Sequence, residues 1–435
     1  MSNSFDGFDN RMEPKRAILV ALEQTDRNER FSTEESLEEL QRLADTAEIE
    51  CVTEIVQKRP KPHPGFFIGK GKAREIGLLL EELDCNMVIF DDELSPGQIR
   101  NLEDTLDTDV WDRTALILDI FYRRANSKEA KLQVELARLE YLLPRLVGRG
   151  SEMSRLAGGI GTRGRGEQKL EIDRRHLREQ IQEIRRKLAE VRKRREENRQ
   201  YRKKHNLPVV SLVGYTNAGK STLLSTLTGS KVTAKDELFN TLDPKLADMS
   251  MSSGSKALLS DTVGFINKLP HHLVAAFRAT LEEVEEADLI LHVIDASSPR
   301  MYEEIEAVEE VLSSLDLEGT PIIKVYNKTD LLQESEPLME SGFPKEVAIS
   351  ALKKDGLHRL RKAIQRYLES SWVRKEYIIP YHREDLKARL YEVGEVLDIE
   401  YKETVMEVYA RVPPHEDQRL EKDLAEIKGG NSRHE

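Results

Sequence analysis

The first part of the chain alternates short apolar runs with amphipathic stretches of helical length. Strands are predicted at "AILVAL", "ECVTEIVQ" and "NMVIF", and helices at "STEESLEELQRLADTA", "KAREIGLLLEEL" and "SPGQIRNLEDTL". Ser95 is a candidate N-cap for the last helix, with Pro96 at its first position. Because alternating strands and helices favour right-handed crossovers, residues 16–125 are predicted to form a small α/β domain whose parallel sheet ends near "VWDRTALILDIF".

The pattern then changes to two long helical stripes. One stripe has leucines at steps of four and three, and Pro144 is expected to kink or end its helix: Leu132, Leu136, Leu139, Leu143 and Leu146. The second stripe follows: Leu170, Leu177, Ile181, Ile184, Leu188 and Val191. Residues 126–205 are therefore predicted to form an antiparallel helical hairpin. Five glycines within residues 157–167, "AGGIGTRGRGE", predict a loop at its tip.

Charge is concentrated on this hairpin. The chain as a whole has a net charge of -12, but residues 167–204 hold fifteen Lys and Arg against eight Asp and Glu. A solvated helix face with ion pairs between successive turns explains such a run by itself. The tip changes that balance, because several arginines lie on or beside it with only Glu152 nearby to offset them: Arg145, Arg149, Arg155, Arg163 and Arg165. A basic, glycine-rich loop of this kind favours binding to a phosphate-rich surface such as RNA.

Composition narrows the class of protein. At 435 residues the chain predicts about three folded units, and its 39% hydrophobic and 34% charged residues are typical of a water-soluble protein. Its apolar runs are shorter than a bilayer span, and no secretion leader is expected in the polar, aperiodic tail at residues 1–15. Two cysteines, Cys51 and Cys85, favour a reducing compartment, so we expect a cytoplasmic protein.

The segment "GYTNAGKS" at residues 214–221 matches G-x-x-x-x-G-K-[ST] between the apolar strand "VVSLV" and the helix "STLLSTLTG". In such a loop, main-chain N–H groups and the helix N-terminus hold phosphates. Lys220 is predicted to reach the β and γ oxygens of the nucleotide, and the Ser221 hydroxyl to bind Mg²⁺. The predicted nucleotide-binding residues of this loop are Gly214, Tyr215, Thr216, Asn217, Ala218, Gly219, Lys220, Ser221 and Thr222.

Two further segments have the spacing of the switches of a nucleotide hydrolase. In "DTVGFI", Asp261 is placed to hold Mg²⁺ through water, and the Gly264 N–H to bond the γ-phosphate. In "FNTLDP", Thr241 is the candidate second hydroxyl ligand of Mg²⁺, although an ordinary polar loop threonine explains it as well. Phe265 stands where many such enzymes have a glutamine. Because a phenyl ring cannot orient water by hydrogen bonding, slow intrinsic hydrolysis and help from a partner are expected.

Base recognition is assigned to "NKTD" and "ISAL". The Asp330 carboxylate can accept two hydrogen bonds from guanine, for which adenine has no matching donors, so GTP is predicted over ATP. Asn327 is expected at the far edge of the base, the Lys328 stem over its face, and a main-chain N–H of Ser350 and Ala351 at the guanine oxygen. Residues 206–370 are thus predicted to be a P-loop GTPase domain with Lys220, Thr241, Asp261 and Gly264 as its catalytic set.

The last part, residues 371–435, has the pattern strand, helix, strand, strand and is predicted to be a small α+β appendage with a frayed end at "IKGGNSRHE". Near the other end, the "GKGK" of residues 69–72 lacks the full phosphate-loop spacing and is equally explained by lysines at the start of a helix. We therefore assign no second nucleotide site to it.

Together, "FFIGKGKAREI", "VWDRTALILDIFYRRA", "KLQVELARLEYLLPRL", "GGIGTRGRGE", "GYTNAGKST", "FNTLDP", "DTVGFI" and "NKTD" resemble the HflX family of translational GTPases over residues 15–370. The resemblance implies a Ras-like P-loop domain, a hydrophobic residue at the position of Phe265 and GTP hydrolysis stimulated by the large ribosomal subunit. It also implies that the GTP-bound protein, expected to be monomeric, contacts ribosomal RNA and protein and splits stalled ribosomes, with hydrolysis controlling release.

The tip residues that the resemblance places against RNA are Arg155, Gly158, Gly159, Gly161, Arg163 and Arg165. Family members typically have proline where this chain has Arg165. Two other interpretations stay open: an RNA-binding switch that uses GTP without splitting any particle, and a coiled-coil scaffold, which the glycines and arginines of the tip argue against.

Overall fold

The computed structural model describes residues 14–26, 30–146, 163–204, 207–229, 238–239, 245–251, 256–268, 283–315, 317, 319–332, 345–370 and 372–430. Residues 1–13 of the predicted tail, most of the predicted tip loop and Thr241 lie outside these residues. Within the described part of the chain, no helix has the length and apolar character needed to cross a bilayer.

The N-terminal sheet is parallel throughout, as the sequence predicted. Its strands lie in the order β2-β1-β3-β4: β1 (Arg16–Gln24), β2 (Glu50–Arg59), β3 (Met87–Phe90) and β4 (Asp109–Asp112). The helices are α1 (Thr33–Thr46), α2 (Lys70–Glu82), α3 (Pro96–Leu106) and α4 (Arg113–Arg124). One face of the sheet packs on α1 and α4, and the other on α2 and α3. Ser95 caps α3 through the Gln98 N–H and Pro96 begins it, which confirms both predictions.

Two antiparallel helices follow, α5 (Lys128–Arg145) and α6 (Arg163–Lys204). Their buried contact uses the predicted stripes: Leu136, Leu139, Leu177, Ile181 and Ile184. Ion pairs show the direction, since Arg185 lies 2.8 Å from Glu140 and Arg195 lies 2.9 Å from Glu129. Pro144 falls in the last turn of α5, as expected of a residue that ends a helix.

The predicted loop at residues 157–167 is wrong in its second part, because α6 begins at Arg163. Gly164 and Gly166 are therefore helical. Both fall near the start of a helix of 42 residues, where the first N–H groups have no intrahelical partner. Each glycine lowers helix stability by only about 1 kcal/mol relative to alanine, and the stability of the long helix that follows outweighs this cost.

Within the described residues, six strands form the central sheet of the predicted GTPase domain, in the order β10-β9-β8-β5-β7-β6, with β6 antiparallel and the others parallel. They are β5 (Val209–Val213), β6 (Lys245–Ser250), β7 (Lys256–Asp261), β8 (Leu289–Asp295), β9 (Ile322–Asn327) and β10 (Glu346–Ala348). The helices are α7 (Lys220–Thr228), α8 (Met301–Ser313) and α9 (Leu357–Leu368). The predicted site segments follow the carboxyl ends of β5, β7, β9 and β10, which lie at one edge of the sheet.

The C-terminal part has an antiparallel sheet in the order β11-β13-β12. Its elements are β11 (Val373–Pro380), α10 (Glu384–Val393), β12 (Glu395–Tyr401), β13 (Val405–Val412) and α11 (Pro414–Gly430). The predicted strand, helix, strand, strand order is confirmed. The frayed end is wrong for residues 427–430, which are helical. Helix α11 begins with proline and acidic residues and packs Leu420 and Leu424, four residues apart, on the sheet.

Candidate nucleotide-binding and hydrolysis site

Two glycines shape the phosphate loop, because a side chain at either position would clash with its neighbours and strain the main chain. Gly214 follows β5, and a Cβ there would lie 2.1 Å from the Val293 carbonyl oxygen. Gly219 has a φ of +94°, and a Cβ there would lie 2.3 Å from Nδ2 of Asn327. The loop therefore passes directly against β8 and β9, which leaves its N–H groups and the start of α7 facing the site.

Lys220 is buried in this loop. Its Nζ donates to the carbonyl oxygens of Gly214 at 2.9 Å and Tyr215 at 2.8 Å. Burial lowers the pKa of Lys220 to about 8, against a smaller opposite effect of Asp261. An ammonium group with little water around it interacts strongly with an anion, which supports the predicted role of Lys220 in holding phosphate oxygens.

Ser221 and Asp261 meet beside the lysine. The Ser221 Oγ donates to Oδ2 of Asp261 at 2.7 Å, and Asp261 is fully buried at the end of β7. A hydroxyl and a carboxylate at this spacing are hard oxygen ligands of the kind that Mg²⁺ prefers. These residues fit the predicted metal site, whereas Thr241, the other predicted ligand, lies outside the described residues.

The segment around Gly264 is joined to the phosphate loop by main-chain hydrogen bonds. The Phe265 N–H donates to the Gly214 oxygen at 3.2 Å, and the Thr216 N–H donates to the Phe265 oxygen at 2.7 Å. A Cβ on Gly264 would lie 2.9 Å from Cα of Thr216 and 3.3 Å from Nζ of Lys220. Gly264 thus lies against the lysine, where a γ-phosphate group is expected.

The Phe265 ring is buried, with 3% of the residue exposed. It belongs to a hydrophobic cluster with β5, β8, α8 and the N-terminal domain, whose members include Phe31, Val213, Tyr215 and Val308. Phe265 therefore packs the switch segment onto the protein, and the orientation of a water molecule has to come from other groups.

On the base side, the predicted residues lie together but make contacts that the sequence did not suggest. Asn327 donates to the Ala218 oxygen and accepts from the Ala351 N–H, both at 2.9 Å. The Ala351 N–H, which the sequence assigns to guanine, is thus bonded to Asn327 in this structure. The Ser350 hydroxyl donates to the Asp330 carboxylate at 2.6 Å and orients it, and Lys328 forms an ion pair with Asp295 at 2.7 Å.

The two switch segments also contact the N-terminal domain, which the sequence did not predict. Leu238, Phe239 and Ile266 are buried in the same core as α1 and α4. The rings of Phe239 and Phe121 pack edge to face with centroids 4.6 Å apart, and the Phe239 N–H donates to Oγ1 of Thr216 at 3.4 Å. The apolar pair "LF" before Thr241 was the available signal, because two adjacent large apolar residues in a loop indicate that the loop packs on another part of the protein.

Polar contacts extend this interface. Lys268 forms ion pairs with Asp91 at 2.5 Å and Asp92 at 2.9 Å, two carboxylates that follow β3. At the start of α8, the Arg300 guanidinium donates to the main-chain carbonyl oxygen of Glu35 on α1 at 3.2 Å. The N-terminal domain therefore binds the GTPase domain at a switch segment and at α8.

Arg145 does not belong to the basic tip, contrary to the prediction. It donates to the Asp112 carboxylate at 3.1 Å and to the Leu94 oxygen at 3.0 Å. Tyr141 donates to the same carboxylate at 2.8 Å, and so does the Ala115 N–H. Burial, followed by the Asp112 charge, raises the pKa of Tyr141 well above its usual value, so the phenol stays protonated. These bonds attach α5 to the N-terminal sheet because a buried carboxylate requires several donors.

The remaining tip residues are only partly described. Arg163 and Arg165 belong to the first turn of α6. Arg155, Gly158, Gly159 and Gly161 lie outside the described residues.

Three family models match in chain order: "GTP-binding GTPase N-terminal" at residues 34–122, "GTP-binding GTPase Middle Region" at residues 124–202 and "50S ribosome-binding GTPase" at residues 209–328. Together they cover more than half of the chain.

Several curated proteins are similar over nearly their full length. A "GTPase HflX" from Caldanaerobacter subterraneus subsp. tengcongensis is 49% identical over 94% of this chain and 93% of its own. The "GTPase HflX" of Lacrimispora saccharolytica is 45% identical over 92% and 94%, and that of Escherichia coli K12 is 42% identical over 89% and 90%. A crystal structure of a GTP-binding protein from Sulfolobus solfataricus with GDP is 26% identical over 82% of this chain and 99% of that one, with a TM-score of 0.43.

Proposed function

The chain belongs to the GTPase HflX family and hydrolyses GTP, and we propose that it uses this activity on the ribosome. In this proposal the GTP-bound protein binds the large ribosomal subunit through ribosomal RNA and protein and promotes dissociation of stalled ribosomes into subunits. Hydrolysis then lowers the affinity and controls release. Such a function belongs in the cytoplasm and requires only one copy of the chain.

The observation that carries the proposal is the basic hairpin and its attachment. Helix α6 has 42 residues, about 63 Å of helix at 1.5 Å per residue, and contains the local excess of Lys and Arg. Its partner α5 is attached to the N-terminal sheet by the buried Asp112 carboxylate. A long, basic and firmly attached hairpin suits insertion between RNA surfaces, where phosphate charge supplies most of the affinity.

The GTPase site supports a slow reaction that needs a partner. In this proposal Lys220 contacts the β and γ oxygens, and its burial in the phosphate loop with Gly264 against it supports that role. Mg²⁺, held by Ser221 and Thr241 and through water by Asp261, would neutralise phosphate charge. Because Phe265 is buried in a hydrophobic cluster and cannot orient water, a change that the large subunit induces would bring other groups into place for that role.

The first experiment measures multiple-turnover GTP hydrolysis by the purified protein alone and with purified large subunits. Strong stimulation is expected. The second follows dissociation of purified 70S particles by light scattering with GTP, a non-hydrolysable analogue or GDP. Splitting with GTP and with the analogue is expected, and no splitting with either nucleotide would leave the RNA-binding switch as the better interpretation.

Matched variants test the tip. Changing Arg163 and Arg165 together to Ala should weaken subunit binding and reduce its dependence on salt concentration. The control changes Arg175 and Arg185, which are exposed on the body of the same helix, and so removes the same charge. Equal effects of the two pairs would contradict a specific role of the tip.

A further inference from the structure

Helix α9 and the turn before it form a basic surface on the GTPase domain. The segment "LKKDGLHRLRKAIQRYL", residues 352–368, has six Lys and Arg against one acidic residue, Asp355. The chain as a whole, by contrast, has a net charge of -12. Six basic residues of this segment are exposed and are called the α9 patch: Lys353, Lys354, His358, Arg359, Lys362 and Arg366.

The packing of α9 turns this patch toward solvent. The helix buries three apolar residues in the core of the domain: Leu360, Ala363 and Ile364. Arg361 is also used within the protein, since its guanidinium donates to the Leu227 carbonyl oxygen at 2.5 Å. Steps of three and four residues place the cations of the opposite side in one row, about 10 Å long: Arg359, Lys362 and Arg366.

The protein itself does not neutralise the α9 patch. Within the part of the chain that the structure describes, no carboxylate forms an ion pair with any of its members. Asp355, the acidic residue of the segment, accepts the Gly356 N–H at 2.8 Å. Arg359 donates only to the Ala348 carbonyl oxygen, at 3.4 Å.

Helix α8 of the same domain shows the opposite arrangement. It has five glutamates and no Lys or Arg, and other parts of the protein supply cations to it. Arg30 lies 3.4 Å from Glu306 and 3.0 Å from Glu310, and Lys324 lies 2.9 Å from Glu309. The acidic helix is thus paired within the molecule, whereas the basic helix keeps its charge for an external partner.

Local stability does not explain the α9 patch. His358 and Arg359 lie in the first turn of α9, where positive charge opposes the helix dipole. Lys362 lies three residues after Arg359 and four before Arg366, so like charges face each other along the row. Both effects destabilise an isolated helix, and a bound polyanion would remove both.

We infer that the α9 patch binds the phosphate backbone of RNA, as a second contact besides the helical hairpin. The inference rests on the proposed action on the ribosome, where ribosomal RNA is the available polyanion. Arginine and lysine side chains in a row match phosphate groups by charge and hydrogen bonding. A lipid surface fits less well, because the apolar side of α9 is buried. RNA is favoured over an acidic protein because α6 of the same chain has a second excess of cations, and one polyanion can contact both.

The test uses full-length protein with Lys362→Gln and Arg366→Gln combined. Binding to purified large subunits is measured with a non-hydrolysable GTP analogue at several salt concentrations. Affinity should fall about tenfold, and the plot of log affinity against log salt should become less steep by about one to two, since each lost phosphate contact releases about one counterion fewer.

The matched control combines Arg74→Gln and Lys422→Gln. It also removes one arginine and one lysine, which are exposed on α2 and α11 and have no ion pair within the described residues. Its affinity and salt dependence should stay at the wild-type values. Both double variants should hydrolyse GTP without ribosomes at the wild-type rate, which shows that they are folded.

A second arm repeats the binding with protein-free ribosomal RNA of the large subunit, and the α9 variant should lose affinity there too. Equal binding of the two double variants to both probes overturns the inference. A loss on subunits with none on free RNA also overturns it and assigns the patch to an acidic ribosomal protein.

The two arms also separate this inference from the proposed function. If the wild-type protein binds free RNA but not subunits, the proposed function fails, and the inference stands only if the α9 variant binds that RNA more weakly than the control. If the wild-type protein binds neither probe, both are overturned.

Discussion

Asn327 and Ala218 join the base-binding and phosphate-binding sides of the site through one hydrogen bond, from Nδ2 of Asn327 to the Ala218 oxygen at 2.9 Å. The Asn327 Oδ1 accepts the Ala351 N–H, so both ends of its amide are bonded within the protein. Asn327 is nearly fully buried. Its placement supports a role in holding the two loops together, in addition to the contact with the edge of the base that the sequence suggests.

Asp330 and Asn327 should therefore respond differently to substitution. Asp330→Asn replaces the acceptor for guanine with an amide, so GTP affinity should fall at least about a hundredfold and xanthosine triphosphate should be preferred. Asn327→Ala should weaken the binding of GTP and of xanthosine triphosphate by similar factors, because it disturbs the loops that hold both nucleotides and does not change the choice of base. Competition binding with both triphosphates measures this, and unchanged selectivity in Asp330→Asn would exclude Asp330 as the selecting residue.

Gly264→Ala should stop hydrolysis while GDP binding persists. The new methyl group would lie 2.9 Å from Cα of Thr216, so the switch segment has to move away from Lys220. We expect a rate at least about a hundredfold lower in single-turnover hydrolysis, as for loss of a transition-state donor. Gly71→Ala is the control, because its methyl group meets nothing within 4 Å, and it should leave the rate unaltered. Hydrolysis at the wild-type rate in Gly264→Ala would contradict the assigned role.

Arg145→Met should destabilise the protein through Asp112. The carboxylate is fully buried and would lose its only side-chain cation among the described residues, at a cost of about 3 kcal/mol in the free energy of unfolding. Arg185→Met breaks the more exposed ion pair with Glu140 and should cost less than about 1 kcal/mol. Urea denaturation followed by circular dichroism compares the two, and equal effects would show that Arg145 is not a buried anchor.

His292 should make the protein less stable in acid. Burial lowers its pKa to about 4 from 6.5, while Glu309 opposes and Lys324 adds to this shift. Below pH 6.5 the unfolded chain binds a proton at His292 that the folded chain does not. The contribution of His292 to the free energy of unfolding is therefore complete above pH 6.5 and is lost as the pH falls toward 4. The loss amounts to about 3 kcal/mol.

His292→Gln removes that titration and should flatten the free energy of unfolding between pH 6.5 and 4. Urea denaturation at several pH values measures the slope for both proteins. An identical slope in the variant would assign the acid sensitivity to other groups, and Glu304 cannot supply it. Burial raises the pKa of Glu304 to about 6, so the folded chain binds the extra proton and its contribution has the opposite sign.

The sequence by itself determined the order of the elements and the local chemistry of the site. Hydrophobic periodicity sets each strand and helix, and the spacing within "GYTNAGKS" sets a phosphate loop, because both depend on residues close together in the chain. The N-cap of α3 at Ser95 is local in the same sense. The start of α6 was missed because its glycines predict a loop, and helix α11 was missed because its end has the composition of a polar tail. The length of each helix and its packing outweigh these local signals.

Only the tertiary structure decided how the N-terminal domain meets the switch. Glu39 and Tyr215 are 176 residues apart, and Asp91 and Lys268 are 177 apart, so no periodicity in the sequence connects them. The same holds for Arg145, which the sequence assigns to the basic tip and the fold places beside Asp112. Burial removes water from such charges and makes each one depend on a distant partner, and that partner is specified by the packing of whole domains.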